Sequence, residues 1–323
     1  MVGRVTRVAV LDDYQDVALT SADWSVLDGR ADITVFTDHL AGEDALAAAL
    51  APFEVVVAMR ERTPFPATLL RRLPALRLLV TTGMRNASID VAAARGLGVT
   101  VCGTRGSSAA TPELTWGLLL ALARGIPDER DAVRSGGWQR GVGPELAGST
   151  LGILGLGRIG GRIAGYARAF GMNVIAWSQN LTEARATEHG ARLVDRDQLF
   201  RAADFVTVHL QLSDRTRGLV GAAELDLLGP GGYLVNTSRG PIVDEDALVA
   251  ALRARRIAGA ALDVFDTEPL PADHPLRTLP NTVVTPHIGY VTRPTYATFY
   301  GEAVEDIDAW LRGTPARVLT SEP

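Results

Sequence analysis

A glycine-rich segment is the first part of this chain whose residue types and spacing predict chemistry. Gly155, Gly157 and Gly160 follow the apolar run TLGILG and open an amphipathic segment, in the pattern G-x-G-x-x-G. Between a strand and a helix, such glycines permit a tight turn, let backbone amides approach a pyrophosphate, and bring the helix close to the strand. The amino terminus of the helix adds partial positive charge. The segment therefore predicts a dinucleotide-binding site.

Three further polar segments each follow an apolar run. They are residues 236–240 (NTSRG), 262–269 (LDVFDTEP) and 285–289 (TPHIG). Arginine, carboxylate and histidine side chains in such segments are suited to anion binding and proton transfer. Because open α/β sheets bind ligands at the carboxyl ends of their strands, these segments are candidates for the same site as the dinucleotide.

The elements that must position these residues alternate regularly along the chain. Short apolar runs predict strands at 7–12, 33–36, 54–58, 77–81 and 98–101, and further strands at TLGILG, NVIAW, FVTVHL, YLVNTS, GAALDVF and TVVTPH. Helical patterns are clearest at 43–50, 66–72, 89–95, 112–124, 159–170, 244–256 and 294–311, and a glycine-rich linker precedes TLGILG. In helix 159–170, the predicted buried positions are Ile159, Ile163, Tyr166 or Ala167, and Phe170. This order predicts an α/β fold with two doubly wound parallel sheets.

Composition excludes several classes of function. The 323 residues include 47% hydrophobic and 21% charged residues, with a net charge of −5, so about two globular domains are expected, without a footprint for nucleic acid or a membrane. All 32 basic residues are arginine, which excludes Schiff-base and P-loop chemistry. The single cysteine, Cys102, excludes an internal disulfide, and without a His/Cys cluster no metal is predicted. A cytoplasmic enzyme or binding protein is expected.

Linked motifs along nearly the whole chain give a resemblance to a known family. ELTWGLLLALAR, LGILGLGRIG, FVTVHL, NTSRGPIVDEDAL, AGAALDVFDTEP and TPHIGY occur in order, and the chain resembles the D-isomer-specific 2-hydroxyacid dehydrogenases, which include 3-phosphoglycerate dehydrogenase and glyoxylate/hydroxypyruvate reductase. The resemblance implies hydride transfer between a nicotinamide and a 2-oxoacid or D-2-hydroxyacid. It also implies a Rossmann cofactor domain (105–289) inserted into a flavodoxin-like substrate domain (1–104 with 290–323), and a homodimer.

The resemblance also implies roles for three residues. His287 matches the acid/base that exchanges a proton with the substrate oxygen. Glu268 matches the carboxylate that hydrogen-bonds this histidine and favours its protonated form. Arg239 matches the residue that grips the substrate carboxylate, for which a planar guanidinium is well shaped.

Expected cofactor contacts surround the glycine-rich turn and the strand ends. They are Gly155, Gly157, Arg158, Ile159, Gly160, Ser178, Asn180, His209, Thr237, Asp263 and Gly289. The strand after the turn ends in AWSQN, with neither the acid that reads a ribose 2′-hydroxyl nor an adjacent arginine for a 2′-phosphate. The choice between NAD and NADP stays open, and the missing arginine slightly favours NAD.

The first half of the chain supplies expected substrate contacts. Residues 82–85 (Thr82, Gly83, Met84 and Arg85) match a loop that offers backbone amides to the substrate carboxylate, and Arg60 matches an arginine that reaches a distal phosphate in phosphoglycerate dehydrogenases. With Arg62, Arg85, Arg105 and Arg293 it gives an electropositive set. A second anionic group on the substrate, such as phosphate, phosphonate or carboxylate, is one interpretation; scattered surface arginine is the other. Tyr290 is expected to narrow the pocket.

Two alternatives stay open. A nicotinamide-sensing corepressor of the same fold is one, disfavoured because such proteins carry extra tails. A formate dehydrogenase is the other, disfavoured because that subgroup has glutamine at the position of Glu268. The remaining histidines, His39, His189 and His274, are expected to be surface or turn residues.

Overall fold

The protein, described here by a computed structural model over residues 5–320, forms two compact units. The first contains the described residues up to Ser107 together with those from Val291 onward, and the second spans Ser108–Tyr290. No helix within the described residues is long and apolar enough to cross a membrane.

Strands alternate with helices through both units. The strands are β1 (Thr6–Val10), β2 (Ala31–Val35), β3 (Val55–Ala58), β4 (Leu78–Thr81), β5 (Thr100–Gly103), β6 (Thr150–Leu154), β7 (Asn173–Trp177), β8 (Arg192–Leu193), β9 (Phe205–Val208), β10 (Tyr233–Asn236), β11 (Gly259–Leu262) and β12 (Thr282–Val284). The α-helices are α1 (Ala18–Ser21), α2 (Glu43–Leu50), α3 (Ala67–Leu70), α4 (Val91–Gly96), α5 (Ala110–Ala123), α6 (Ile126–Arg134), α7 (Arg158–Ala169), α8 (Glu183–Glu188), α9 (Arg196–Ala202), α10 (Ala222–Leu228), α11 (Glu245–Arg253) and α12 (Arg293–Leu311).

Each unit is built on one parallel sheet. In the first unit the strand order is β2-β1-β3-β4-β5, and in the second it is β12-β11-β10-β9-β6-β7-β8. The first order is that of flavodoxin-like sheets, and the second is the Rossmann order with an added edge strand. The predicted fold class is therefore confirmed. In the second sheet the order reverses between β6 and β9, which is where such sheets bind ligands.

Apolar side chains cover both faces of the second sheet. One cluster joins α9, α10 and α11 to the strands through residues such as Phe200, Leu225 and Leu248. The other joins α5 and α7 to the opposite face through Leu119 and Ile163. Parallel strands with helices on both faces read as continuous apolar runs, as they do in this sequence.

Several details differ from the sequence prediction, among them the short strand β8 (Arg192–Leu193), which was not expected. Helix α6 was not expected, although Pro127 in its first turn and the acids Asp128 and Glu129 that follow it are typical helix-start signals. Phe170 was predicted to be buried but is 43% exposed, because α7 ends at Ala169 and Phe170 caps it. Its ring lies 5.0 Å from that of Trp116.

Candidate active site

The glycine-rich turn has two crowded glycines and one open one. A Cβ atom on Gly155, whose φ is +97°, would lie 2.8 Å from the carbonyl of His209, and one on Gly160 would lie 2.1 Å from the Gly155 oxygen. A Cβ atom on Gly157 would meet nothing within 4 Å. The first and third glycines are therefore required by packing, whereas space remains above the second, at the start of α7.

The other predicted contacts near this turn lie on α7 and after β7. Arg158 and Ile159 form the first positions of α7. Ser178 follows β7 directly and is half-buried, and Asn180 is exposed. The next residue with a charged side chain is Glu183, the first residue of α8.

His209 lies beside the turn at the end of β9. Burial lowers the pKa of His209 to about 3, so its imidazole is neutral at working pH. Its Nε2 atom is buried and has no hydrogen-bond partner within the described chain, and the same holds for the hydroxyl of Thr207 on β9. Buried polar atoms normally have partners. Orphan atoms next to an open, amide-lined helix start fit a bound dinucleotide.

The three polar strand ends lie side by side, because β10, β11 and β12 are neighbours in the sheet. Arg239 follows β10, Asp263 follows β11 and His287 follows β12. The segments after β10 and β11 are also in tight contact: a Cβ atom on Gly240 would lie 2.1 Å from the carbonyl carbon of Phe265.

His287 and Glu268 form a direct pair. The His287 Nδ1 atom lies 2.6 Å from Glu268 Oε2, while the Phe265 amide donates to Glu268 Oε1 at 2.9 Å. One carboxylate oxygen therefore orients the imidazole, and the other is held by the backbone. His287 has a left-handed backbone, with φ of +53°, a conformation that costs about 1–3 kcal/mol in non-glycine residues and is often found at functional sites.

Asp263 holds the loop that carries His287. It accepts hydrogen bonds from the Thr285 hydroxyl at 2.6 Å and from the amides of Ile288 and Gly289, both at 2.8 Å. Burial raises the pKa of Asp263 above its ordinary value, against the opposing effect of these hydrogen bonds. The sequence pattern predicted Asp263 and Gly289 as cofactor contacts. In the structure they connect β11 to the His287 loop, a support role that the sequence did not indicate.

Arg239 and Thr237 are the predicted residues on the segment after β10. The Asn236 side chain shapes this segment by accepting from the Ser238 amide at 3.0 Å and donating to the Arg239 carbonyl at 2.9 Å. The Arg239 guanidinium donates to the Ser238 carbonyl at 2.7 Å. The Thr237 hydroxyl lies 2.7 Å from that of Thr115 on α5.

The predicted substrate loop of the first unit follows β4, and two of its amides are already occupied. The Thr82 amide donates to the Ala58 carbonyl at 3.0 Å, and the Gly83 amide donates to the Thr104 hydroxyl at 3.0 Å. The expectation that these amides face a substrate carboxylate is corrected, because both are used to fix the loop. The exposed residues Met84 and Arg85 carry the remaining amides of the loop.

The arginines predicted to form an electropositive set differ in the groups that they contact. Arg60 lies against the loop: its Nη1 donates to the Thr82 carbonyl at 3.1 Å and occupies the space that a Gly83 Cβ would need. Arg62 donates to the Asp12 carbonyl at 2.6 Å and lies 4.4 Å from the Tyr14 ring centroid.

Two more members of that set have other surroundings. Arg105 pairs with Glu302 at 2.5 Å, and Arg293 is exposed at the start of α12. Arg62 and Arg105 therefore make contacts within the fold, which for these two residues favours scattered arginine over one shared electropositive set.

The other aromatic and histidine predictions can also be placed. The Tyr290 ring lies edge-on to His287, with centroids 5.6 Å apart. His39 pairs with the buried Asp12 at 2.9 Å, and His274, which caps a short 3-10 helix, pairs with Glu245 at 3.1 Å. Both lie outside the α-helices and strands, in line with the surface or turn positions expected for them. His189 ends α8.

Possible metal ligands and a cavity can also be located relative to the residues of this site. Within residues 5–320, no group of three or more His, Cys, Asp or Glu side chains is arranged to hold a metal ion. A cavity of about 720 Å³ opens where β6 and β7 begin, beside Thr150 and Asn173. It therefore lies at the amino ends of the strands, opposite to the edge that carries Gly155 and His287.

A dinucleotide-binding turn in the same sheet as a His–Glu pair and an arginine defines a nicotinamide-dependent dehydrogenase. The family described as "D-isomer specific 2-hydroxyacid dehydrogenase, NAD binding domain" matches residues 116–289. A glyoxylate reductase of Aeropyrum pernix is 42% identical over 265 residues, which is 79% of each chain. The chain belongs to the D-isomer-specific 2-hydroxyacid dehydrogenase family, and it is an oxidoreductase of the class that interconverts 2-oxoacids and 2-hydroxyacids.

Other relatives agree. A D-3-phosphoglycerate dehydrogenase of Synechocystis sp. is 36% identical over 83% of this chain, but the match spans only 49% of that protein. The chain thus spans about half the length of such relatives. The crystal structure of a phosphoglycerate oxidoreductase from Vibrio cholerae O395 is similar with a TM-score of 0.91 and 38% identity, covering 96% of this chain and 100% of that one.

Proposed function

We propose that the protein reduces a small 2-oxoacid to the D-2-hydroxyacid, with His287 as proton donor, Glu268 as its partner and Arg239 as the carboxylate-binding residue. The observation that carries this proposal is the 2.6 Å contact between His287 and Glu268, at the same sheet edge as the open glycine turn. We assign cofactor binding to residues 105–289, and substrate binding to 1–104 with 290–323.

The reaction then needs one proton from the chain. When bound, the nicotinamide would supply the hydride that C2 of the oxoacid receives. Nε2–H of His287 gives its proton to the carbonyl oxygen, so the oxyanion that would form is neutralised as the hydroxyl. Glu268 accepts from Nδ1–H, which fixes the imidazole orientation and stabilises its positive charge before transfer. The Arg239 guanidinium binds the carboxylate next to the reacting carbon. In oxidation the proton returns to His287.

Oxidation of NADH, followed at 340 nm with glyoxylate, pyruvate, hydroxypyruvate and oxaloacetate, tests this proposal. His287→Gln should abolish turnover and leave the affinity for NADH unchanged. His274→Gln is a matched control, because both imidazoles are 19% exposed and paired to a glutamate. Retained turnover in His287→Gln, or no turnover of any oxoacid by the wild type, would overturn the proposal.

NADH is the proposed cofactor in preference to NADPH. Support comes from Ser178 and Asn180 after β7, since neither is a cation that would pair with a 2′-phosphate. The ratio of kcat/KM for the two cofactors measures the preference. A higher value for NADPH would contradict it.

A second anionic group on the substrate is the proposed role for Arg60. Its guanidinium lies on the loop that carries Met84 and Arg85, so it is placed next to the expected carboxylate position. Oxaloacetate or phosphohydroxypyruvate should then be preferred over glyoxylate, and Arg60→Ala should reduce that preference. An unchanged ratio in Arg60→Ala, or glyoxylate as the best substrate, would rule the proposal out.

A homodimer in the cytoplasm is the proposed physiological state. Helix α6 and the linker after it expose Ile126, Val133, Trp138 and Val142, an apolar surface suited to a second copy of the chain. Light scattering should give twice the chain mass for the wild type and a smaller mass for Val133→Glu/Trp138→Glu. Leu97→Glu, on the first unit, is the control. Cell fractionation tests the location.

A further inference from the structure

A short segment near the end of the described chain pairs with the edge of the first sheet through a single β-bridge. Val318 forms an antiparallel bridge with Cys102 on β5. The Gly103 amide donates to the Arg317 carbonyl at 3.0 Å, and the Leu319 amide donates to the Val101 carbonyl at 2.8 Å. We call residues 317–319 the tail strand. Because it pairs with β5, it covers the edge of an otherwise parallel sheet.

Arg317 anchors the tail strand to α12. Its guanidinium lies 2.9 Å from the carboxylate of Glu305 and 3.1 Å from that of Asp306, and it donates to the Glu302 carbonyl at 2.7 Å. Its backbone is left-handed, with φ of +47°, which is unfavourable for a side chain of this size. The side chain of Arg317 therefore connects the tail strand to three residues of one helix.

The end of β5, in turn, supports the predicted substrate loop. A Cβ atom on Gly103 would lie 2.7 Å from the Gly83 oxygen and 3.2 Å from the Met84 Cα, so the two backbones are in direct contact. The Thr104 hydroxyl accepts the Gly83 amide at 3.0 Å.

Helix α12 also holds the residue that follows Thr104. The Glu302 carboxylate accepts the Arg105 amide at 2.6 Å and its Nε at 2.5 Å. The end of β5 is thus connected to α12 twice. Glu302, on α12, binds Arg105, and Arg317, on the tail strand, binds residues of α12.

We propose that Arg317 is a positioning residue for substrate binding: through the tail strand and the end of β5, it holds residues 82–85 in the conformation that presents the Met84 and Arg85 amides to the substrate carboxylate. The inference rests on the proposed function, because it takes this loop as the carboxylate-binding segment. Arg317 itself contacts α12 and not the loop, so its effect is on the geometry of the loop and not on the chemistry.

Steady-state kinetics separates positioning from general support. Arg317→Gln should raise the KM for glyoxylate about fivefold, a typical size for coupling through packed segments, while kcat and the dissociation constant of NADH stay within about twofold. Arg317→Lys, which keeps the charge without the planar fork, should recover part of the loss. Arg312→Gln is the control, because Arg312 pairs with Asp308 on the same helix at 2.8 Å and is 62% exposed; its KM should not change.

Hydrogen exchange of the loop tests the same link without turnover. In Arg317→Gln the Gly83 amide should exchange faster than in the wild type and in Arg312→Gln, since its acceptor Thr104 lies on the released segment. Faster exchange in Arg317→Gln, together with no turnover by the wild type, would contradict the proposed function but support the structural coupling between Arg317 and the loop 82–85. Unchanged exchange, or a parallel rise of the NADH dissociation constant with KM, would overturn the inference. If Arg317→Gln does not fold, Arg317→Lys carries both measurements.

Discussion

Replacing Asp306 by asparagine should stabilise the protein at alkaline pH and should not stabilise it in acid. Asp306 lies on α12 with 0% of its surface exposed. Burial raises the pKa of Asp306 from 3.8 to about 7; Arg317 lowers it, and Glu302 and Glu305 raise it further. The facing group on β5 is Cys102, whose pKa burial raises to about 12, so it stays neutral.

The magnitude follows from the difference between the folded and unfolded pKa values. Between pH 3.8 and about 7 the folded chain holds a proton on Asp306 that the unfolded chain has lost, so stability falls as the pH rises through this window. A shift of roughly three pKa units corresponds to about 4 kcal/mol at pH 8. Asparagine resembles the protonated acid, so the variant avoids this loss of stability. Burying an amide that fits the site imperfectly costs about 2 kcal/mol, so the free energy of unfolding at pH 8 should rise by about 2 kcal/mol.

Thermal unfolding followed by circular dichroism at pH 5 and pH 8 measures this effect. The melting temperature of Asp306→Asn should exceed that of the wild type by several degrees at pH 8. It should equal or fall slightly below that of the wild type at pH 5, where the loss avoided is only about 1.6 kcal/mol and does not offset the cost of the buried amide. Asp308→Asn is the control, because Asp308 pairs with Arg30 at 2.7 Å and Arg312 at 2.8 Å and should not stabilise when neutralised. If Asp306→Asn lowered the melting temperature at pH 8, the pair with Arg317 would outweigh burial and the reasoning would fail.

Three further predictions concern the site. Gly157→Ala should keep the wild-type melting temperature, because its Cβ meets nothing within 4 Å, and should weaken NADH binding measured by fluorescence. Gly160→Ala should destabilise the fold, because its Cβ would lie 2.1 Å from the Gly155 oxygen. Equal effects of the two substitutions would contradict the assignment of Gly157 to cofactor binding. Glu268→Gln should lower kcat by about 100-fold with NADH affinity unchanged, as measured by steady-state kinetics and titration; wild-type kcat would exclude its role. Asp263→Asn loses one of the two acceptor oxygens that hold the His287 loop and should lower kcat/KM by about 10- to 100-fold, whereas an effect confined to the KM of NADH would indicate a cofactor contact alone.

Most of the fold could be predicted because its strands are buried on both faces. Parallel strands covered by helices appear in sequence as apolar runs, and runs such as EVVVA and FVTVHL correspond to β3 and β9. The glycine pattern was equally informative, since the crowding around Gly155 and Gly160 leaves no room for a side chain. These signals are local in sequence, so one chain is enough to show them.

The supporting contacts could not be predicted, because they join segments far apart in the chain. Asp263 bonds to amides 25 and 26 residues later, and the Thr104 hydroxyl takes the Gly83 amide across 21 residues. A family motif indicates that a residue has a role at the site, but it does not indicate which of its atoms already make hydrogen bonds within the fold. For that reason the Gly83 amide was assigned to substrate while the fold uses it internally.

The absence of lysine explains why the arginine predictions were the weakest. In a chain whose 32 basic residues are all arginine, arginine must also make the internal contacts that lysine often makes elsewhere. Arg105 and Arg317 do so by binding acids of α12 at 2.5 Å and 2.9 Å, and their charge is neutralised locally. Arg60 donates to the Thr82 carbonyl and also lies 3.6 Å from the Glu61 carboxylate, and Arg239 donates to the Ser238 carbonyl. Because every basic residue of this chain is an arginine, residue type does not separate arginines that bind anions from those that hold the fold, and only their contacts and the effects of replacing them can do so.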